Sequence, residues 1–474
     1  MNSIVKTKII CTIGPGTESV SAIKKLYAAG MTVARINCSH GDHNQYRKFI
    51  RNIRAVSNEI AIMLDTQGPE IRTGMVEPDT VLKSGRTFTL TTRHLKKGDS
   101  QEVSVTYKDL PGDAKPGDKI MIDSGFIELK VLKKNKTDII CKVINGGKLG
   151  DQKGVNHPGC LSKIPSFTKK DRDDVRFGIT HGIDWIAASF IREAKDVKKI
   201  KQFLNNNHKI KVIAKIENDY AVRNFDKILE VADAIMVARG DLGVELPAEK
   251  VPMIQKKIIR KCNLAGKPVI TATQMLESMV HSLRPTRAET SDVANAILDG
   301  TDAIMLSEET AIGEFPDKAV ATMVSIARNT EKALHLHRKP DVISMDDAIA
   351  DAVFDITVAT DIGKIVVATC SGHSARMISK FRPHADIIAV TPFEHIVRRV
   401  GIYWGIDALV LKEKVKTTRD LIYYAIFTAY SRKLLKRADK IVVTAAHPFS
   451  IGGRTNLLEI HTVGELLARG PTAR

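Results

Sequence analysis

Eight short apolar runs, rich in Val, Ile, Ala and Met, punctuate this chain: Lys8–Ile13, Thr32–Ile36, Ala61–Leu64, Trp185–Ser189, Val212–Ile216, Ala234–Ala238, Pro268–Thr271 and Ala303–Leu306. Helical patterns lie between most of them. Thr286 and Glu289, just after Pro285, have capping-box spacing and mark one helix start. Apolar strands that alternate with helices argue for a parallel sheet covered on both faces, an α/β architecture. Eight such units predict a closed (β/α)8 barrel.

Barrels of this kind carry their chemistry at the C-terminal ends of the strands. Here the second strand runs into Arg35, Asn37 and Ser39, and the third ends in Asp65 and Thr66. The fifth ends in Lys215 and Glu217, the sixth in Gly240 and Asp241, the seventh in Thr273 and the eighth in Ser307. One polar strand end is an ordinary loop. Six on the same edge describe a site.

The pattern breaks between Pro69 and Pro165, where short alternating segments with Gly, Asp and Pro turns read as an inserted all-β domain. The two prolines bracket it as stiff hinges, and a small domain over a barrel mouth can close on a substrate and exclude water. From about His335 a second α/β alternation begins: helical Met345–Thr360, apolar Lys364–Ala368, a Thr369–Ser374 turn, a helix to Phe381, then strands at Asp386–Val390, Asp407–Leu411 and Lys440–Thr444. The expected division is a barrel over 1–69 and 166–335, a lid over 70–165 and a C-terminal α/β domain over 336–474.

An excess of 72 Lys and Arg over 54 Asp and Glu gives a formal charge of +18. That favours anionic partners: nucleic acid, acidic membrane or phosphorylated metabolites. The six cysteines lack disulfide or zinc spacing. No signal peptide or membrane-length apolar run is visible, so the pattern predicts a soluble cytoplasmic protein.

Read as residues alone, the strand ends leave alternatives open. Glu217 and Asp241 suit a hard divalent cation, or form a solvated pair or a salt bridge with Lys215. Lys215, two residues before Glu217, shares its face. It can neutralise charge on a transferring phosphoryl group and an enolate; a Schiff-base lysine is the rival, disfavoured by the neighbouring acid. Arg239-Gly240-Asp241-Leu242-Gly243 reads as a sharp glycine turn offering N–H groups to an anion. Arg35 and Arg72 suit phosphate oxygens. Asn37, Ser39, Asp65 and Thr66 form either a monovalent-cation cage or a hydrogen-bonded cluster. Thr369–Ser374 is either a phosphate loop or an ordinary helix cap.

Together these segments resemble the pyruvate kinase family. The matching strings are Cys11–Pro15, Arg35–His40, Leu64–Gly74, Lys153–Asn156, Lys215–Asn218, Met236–Gly243, Gly266–Met279, Arg284–Asn295 and Ser307–Thr310, in the family's order from residue 8 to beyond 310. Ala272-Thr273-Gln274-Met275-Leu276-Glu277-Ser278-Met279 is the most specific of them. The resemblance implies phosphoryl transfer from phosphoenolpyruvate to ADP, giving pyruvate and ATP through a metal-stabilised enolate in the last step of glycolysis.

It also implies roles. Arg35 contacts the substrate phosphate; Asn37, Ser39, Asp65 and Thr66 hold K⁺; Asn37, Cys38, Ser39, His40, Arg72 and Lys153 meet the nucleotide. Lys215 stabilises the transition state, Glu217 and Asp241 bind Mg²⁺ or Mn²⁺, and Gly240, Asp241 and Thr273 hold the carboxylate end of the substrate. Thr273 with Ser307 helps deliver a proton through water, and Asp123 is a second metal contact on the lid. Thr369, Ser371, Gly372, His373 and Ser374 match a phosphate loop for a phosphorylated allosteric effector, with a less recognisable second half around Ala446–Thr455. A homotetramer is the family's common state. No nucleic acid or membrane partner is implied. Gln67, where many relatives carry Lys, looks like K⁺-independent members, whereas Thr66 and Glu70 look like K⁺-dependent ones; the Glu70 carboxylate leaves a deficit that K⁺ can fill. Glu308 and Ile312 replace the Gly and Lys of many relatives. The rivals are a barrel enzyme of carbon–carbon bond chemistry, argued against by the lid and Lys153, and a catalytically silent relative.

Overall fold

The computed structural model describes residues 5–160, 163–205, 207–334, 342–446 and 455–471. Eight parallel strands close into a barrel: β1 (Lys8–Thr12), β2 (Met31–Asn37), β3 (Ala61–Asp65), β4 (Trp185–Ala188), β5 (Lys211–Ile216), β6 (Ala234–Ala238), β7 (Val269–Ala272) and β8 (Ala303–Leu306). β1 pairs with both β2 and β8, which seals the ring. The apolar runs are continuous because each strand has two buried faces. Ile10, Val33, Met63, Trp185, Ile213, Met236, Ile270 and Met305 belong to one cluster of buried side chains, while Ile9, Ala34, Ile62, Ile186, Val212, Ile235, Val269 and Ile304 pack in another with the surrounding helices. The helix Arg287–Leu298 starts with the capping box read from Thr286 and Glu289.

The insertion follows β3. Its strands Val155–Asn156, Lys119–Ile122, Ile127–Lys134, Asp138–Asn145, Thr87–Thr91 and Glu102–Ser104 lie in that order in one sheet. The bridges Arg72↔Gly154 and Thr73↔Val105 join its two edges through residues 72–73, so the sheet closes on itself as a small barrel around Phe88, Leu90, Ile120, Leu129 and Cys141. The C-terminal domain carries five strands: β9 (Lys364–Ala368), β10 (Asp386–Thr391), β11 (Ile406–Val410), β12 (Lys440–Ala445) and β13 (Leu457–Thr462). Their order is β11-β10-β9-β12-β13, with β13 antiparallel to β12. This domain docks on the end of the barrel opposite the chemistry: Lys8 at the start of β1 donates to the Ile406 carbonyl at 2.7 Å. Among the described residues no helix is long and apolar enough to cross a membrane, and all six cysteines are free thiols.

Candidate active site

The C-terminal ends of the strands converge on Lys215. Its Nζ lies 2.8 Å from Glu217 Oε1, 3.1 Å from Asp65 Oδ1 and 2.7 Å from the Ser189 hydroxyl. Asp65 also accepts from Arg35 Nε at 2.7 Å, and Arg35 Nη1 donates to Thr12 Oγ1 at 2.9 Å. Burial alone would lower the Lys215 ammonium, but Asp65, Glu217 and Asp241 outweigh it and hold it above its ordinary value. Burial would raise Asp65; Lys215 and Arg35 reverse that and hold it low. Burial pushes the Glu217 and Asp241 carboxyls up despite Lys215. The salt-bridge alternative for Lys215 and Glu217 is therefore realised in this state, and no Schiff-base environment exists, because that chemistry needs a depressed lysine.

Three carboxylates (Asp65, Glu217, Asp241) face two cations (Lys215, Arg35) in this buried set. A cation of hard character fits that deficit and that donor set. No group of three or more His, Cys, Asp or Glu is placed to hold a metal among the described residues, so a divalent ion held by Glu217 and Asp241 would need further donors from outside the protein.

The turn expected at Arg239–Gly243 is instead the first part of a short helix, Arg239–Glu245, that starts directly from β6. Neither Gly240 nor Gly243 has a positive φ. The Gly240 N–H donates to Thr273 Oγ1 at 2.7 Å, and a Cβ at this position would come no nearer than 3.4 Å to that hydroxyl, so the contact does not itself demand glycine. Positive φ values fall on Thr273 at 69°, Gln274 at 54° and Phe190 at 54°, each costing about 1–3 kcal/mol. The fold holds them by hydrogen bonds: Arg239 Nη2 donates to the Thr273 carbonyl at 2.8 Å, and the Phe190 N–H donates to Glu217 Oε2 at 2.6 Å. Thr273 Oγ1 also donates to the Ala272 carbonyl at 2.6 Å, so its proton is committed to the loop.

Asn37 stands beside Asp65 in register, and its Oδ1 accepts from the Ser39 N–H at 3.1 Å. Thr66 Oγ1 accepts from the Ser189 N–H at 3.1 Å. The Cys38 side chain is fully buried in the core, and its carbonyl takes Lys170 Nζ at 2.5 Å. Any nucleotide contact of that residue would therefore run through its backbone.

A cleft of about 470 Å³ opens between barrel and lid, lined among others by His40, Arg72, Asp123, Lys153, Asp241 and Glu245. Lys153 pairs with Asp123 at 3.0 Å. Glu70 is not bare, as its Oε2 meets Arg72 Nη2 at 2.6 Å and Gln67 Nε2 at 3.3 Å.

Three residues escaped the sequence reading. Ser189 ends β4 at the same edge as the others and was absorbed into the apolar run. Glu309 accepts from the Ser307 N–H at 2.7 Å and the Leu276 N–H at 3.1 Å, tying the ends of β7 and β8 together. Glu245 accepts from Asn156 of the lid at 3.4 Å. Burial pushes the Glu245 carboxyl up from 4.5 to about 7. A carboxyl raised on folding favours the docked lid while protonated; that contribution is complete below 4.5 and is lost as the pH rises through about 7. Limited proteolysis at the lid's roots should therefore quicken between about pH 5 and pH 8, and Glu245→Gln should flatten the profile. An unchanged profile in that variant would remove Glu245 as the cause.

In the C-terminal domain, Gly372 has φ 78° and donates its N–H to Thr369 Oγ1 at 3.0 Å. The His373 N–H donates to Ser371 Oγ at 3.3 Å, and the Ser374 hydroxyl bonds that of Thr455. Residues 447–454, most of the expected second half of that pocket, lie outside the described residues.

Comparison with known proteins agrees with this geometry. Residues 4–320 match the family model "Pyruvate kinase, barrel domain", and residues 347–461 match "Pyruvate kinase, alpha/beta domain". A pyruvate kinase of Geobacillus stearothermophilus is 48% identical over 98% of this chain and 81% of its own length. One from Staphylococcus epidermidis is 47% identical over 98% of this chain and 82% of its own. The crystal structure of a pyruvate kinase from Cryptosporidium parvum superposes with a TM-score of 0.89 at 40% identity, covering 97% of each chain. Eight closed strands, a lidded cleft and a buried lysine among three carboxylates thus have one assignment: the chain belongs to the pyruvate kinase family, phosphotransferases of glycolysis that move the phosphoryl group of phosphoenolpyruvate onto ADP.

Proposed function

We propose that Lys215 and Arg35 are the fixed cations of the transfer, with Arg35 on the substrate phosphate and Lys215 on the charge that develops as the phosphoryl group leaves. The observation that carries this is the Lys215 ammonium held between Asp65 and Glu217 at 3.1 and 2.8 Å, which leaves it no freedom to wander. A pre-oriented charge of that kind costs no reorganisation when the enolate forms. Glu217 and Asp241 would hold Mg²⁺ or Mn²⁺, which supplies Lewis-acid neutralisation of phosphoryl and enolate oxygens when bound. Asn37, Ser39, Asp65 and Thr66 would hold K⁺ with an oxygen-only donor set.

Gly240, Asp241 and Thr273 would position the carboxylate end of phosphoenolpyruvate or pyruvate. Because the Thr273 hydroxyl already donates to Ala272, its part in protonation is to orient water, with Ser307 beside it on the next strand. His40, Arg72 and Lys153 line the cleft and would meet the phosphates of ADP or ATP, helped by the backbones of Asn37, Cys38 and Ser39; Asp123 would offer a second metal contact. Thr369, Ser371, Gly372, His373 and Ser374 would take the phosphate of an allosteric effector. A cytoplasmic homotetramer of barrel, lid over 70–165 and effector domain from 336 completes the reading.

The test is pyruvate formation from phosphoenolpyruvate and ADP with Mg²⁺, with and without K⁺. Activity should require ADP and rise on the order of tenfold or more with K⁺. Glu70→Lys, which replaces the acid paired with Arg72, should lose that K⁺ requirement. A wild-type enzyme indifferent to K⁺ would leave the reaction standing and sink the potassium assignment.

A further inference from the structure

The turn that carries Ser39 and His40 leaves the barrel at the end of β2, just after Asn37, and belongs to no strand or helix until His43 opens the helix His43–Val56. Its backbone groups must therefore find partners outside a regular ladder. Cys38 is the pivot. Its N–H donates to the Asp65 carbonyl at 2.9 Å, its side chain is buried, and its carbonyl accepts from Lys170 Nζ at 2.5 Å.

Lys170 lies in the helix Lys169–Thr180, the first barrel element after the lid. One turn further on, Asp174 takes the same ammonium at 2.7 Å, as side chains four apart on a helix can. Asp174 is buried, and its other oxygen lies 2.8 Å from His43 Nε2. The His43 ring in turn stacks on Phe177 of the same helix, with centroids 4.6 Å apart. The lysine is thus held from behind by a carboxylate that is itself held.

The consequence runs through one peptide unit. A trans peptide is planar, with its C=O and N–H pointing opposite ways. The Cys38 carbonyl and the Ser39 N–H share that plane, so a lysine that fixes the first aims the second. The Ser39 N–H donates to Asn37 Oδ1 at 3.1 Å, which sets the Asn37 amide. At the far end of the turn, the Tyr46 hydroxyl donates to the His40 carbonyl at 2.7 Å. The residue after Lys170 ties this support to the lid. Asp171 is fully buried; one oxygen accepts from the Gly68 N–H at 3.0 Å and the other from the Thr168 N–H at 2.9 Å. Gly68 and Thr168 flank the two roots of the lid, so a single helical turn supports both roots and the Asn37–His40 turn.

We propose that Lys170 is a positioning residue for the phosphoryl transfer. By fixing the Cys38–Ser39 peptide it holds the Asn37 amide and the Ser39 side chain in the geometry that K⁺ and ADP need, and Asp174 keeps the lysine in place. This role rests on the proposed assignment of Asn37 and Ser39 to K⁺ and the nucleotide. Groups that are fixed before a ligand arrives lose little freedom when it binds, so freeing them weakens binding more than it slows turnover at saturation.

The test is steady-state kinetics of the full-length protein with Mg²⁺, varying ADP and K⁺ separately. Lys170→Met should raise the KM for ADP and the K⁺ concentration for half-activation about tenfold each, while kcat at saturation falls less than about threefold. Lys170→Arg, which keeps a cation able to donate to both the carbonyl and Asp174, should return both constants to within about threefold of wild type. Asp174→Asn, which loosens the lysine without removing it, should move them in the same direction by a smaller factor. Ser39→Ala separates the role from its premise. If Ser39→Ala raises both constants and Lys170→Met raises neither, the ligand assignment stands and the positioning role is refuted. If Ser39→Ala leaves both at wild type, the ligand assignment fails and the positioning role falls with it. A Lys170→Met protein with a lowered Tm and a lowered kcat but unchanged constants for ADP and K⁺ would make the lysine a purely structural tie and overturn the proposal.

Discussion

Lys215→Met is expected to lower kcat by about 10²- to 10³-fold while changing the KM for phosphoenolpyruvate far less. In the proposed role the ammonium answers charge that appears only as the phosphoryl group departs, so its loss should fall on the transition state more than on ground-state binding. Because Asp65, Glu217 and Asp241 hold it above its ordinary value against burial, it stays a cation across any practical assay range. No ionisation of this residue should therefore shape the pH profile near neutrality. The same substitution leaves Asp65, Glu217 and Asp241 buried with only Arg35 to balance them, which should cost about 3–5 kcal/mol of stability. Mn²⁺ should then raise the Tm of the variant more than that of wild type, since Glu217 no longer has the lysine at 2.8 Å competing for it. A variant that keeps a tenth of wild-type kcat would show that Lys215 does not carry the charge.

Much of this centre could be read from the chain because barrel geometry converts local order into proximity. A strand buried on both faces is a continuous apolar run, and the residue after the run is at the rim whatever its partners are. Arg35, Asp65, Lys215, Glu217 and Thr273 were all found that way. The same rule hid Ser189, since a small hydroxyl at the end of Trp-Ile-Ala-Ala does not interrupt an apolar pattern. Gly240 misled for a different reason: glycine signals either a special φ or a close approach, and neither holds here, since its φ is not positive and a Cβ would meet Thr273 only at 3.4 Å. In the lid, Val81–Leu82, Gly147–Lys148 and Val155–Asn156 are two residues each, too short for any period to register. β13 was missed because its side chains are half-buried on both faces, which erases alternation. Glu309 and Glu245 act on partners brought together by the closed ring or by the lid, and nothing near them in sequence announces it.

The clearest case of such a long-range contact is also the second large effect. Asp184, at the end of β4 opposite Ser189, is 2% exposed. It accepts from Arg398 Nε of the C-terminal domain at 2.7 Å, from Arg54 Nη2 at 3.3 Å and from the Ile62 N–H at 2.9 Å. Burial outweighs the two guanidiniums and leaves its carboxyl above the ordinary value, the mark of an ionic group whose desolvation is not fully repaid. Breaking such a group differs from replacing it. Asp184→Ala strands two arginines and a β3 N–H, and should destabilise the protein by about 3–5 kcal/mol in urea unfolding. Arg398→Leu in the same background should return part of that loss, because it removes one of the stranded charges, giving a coupling of at least about 1 kcal/mol in the double-mutant cycle. Below the unfolding transition, kcat should stay within about twofold of wild type, since the strand ends that carry the chemistry are untouched. Strict additivity of the two substitutions would mean that Asp184 and Arg398 do not stabilise one another and that Asp184 is a passenger at the seam.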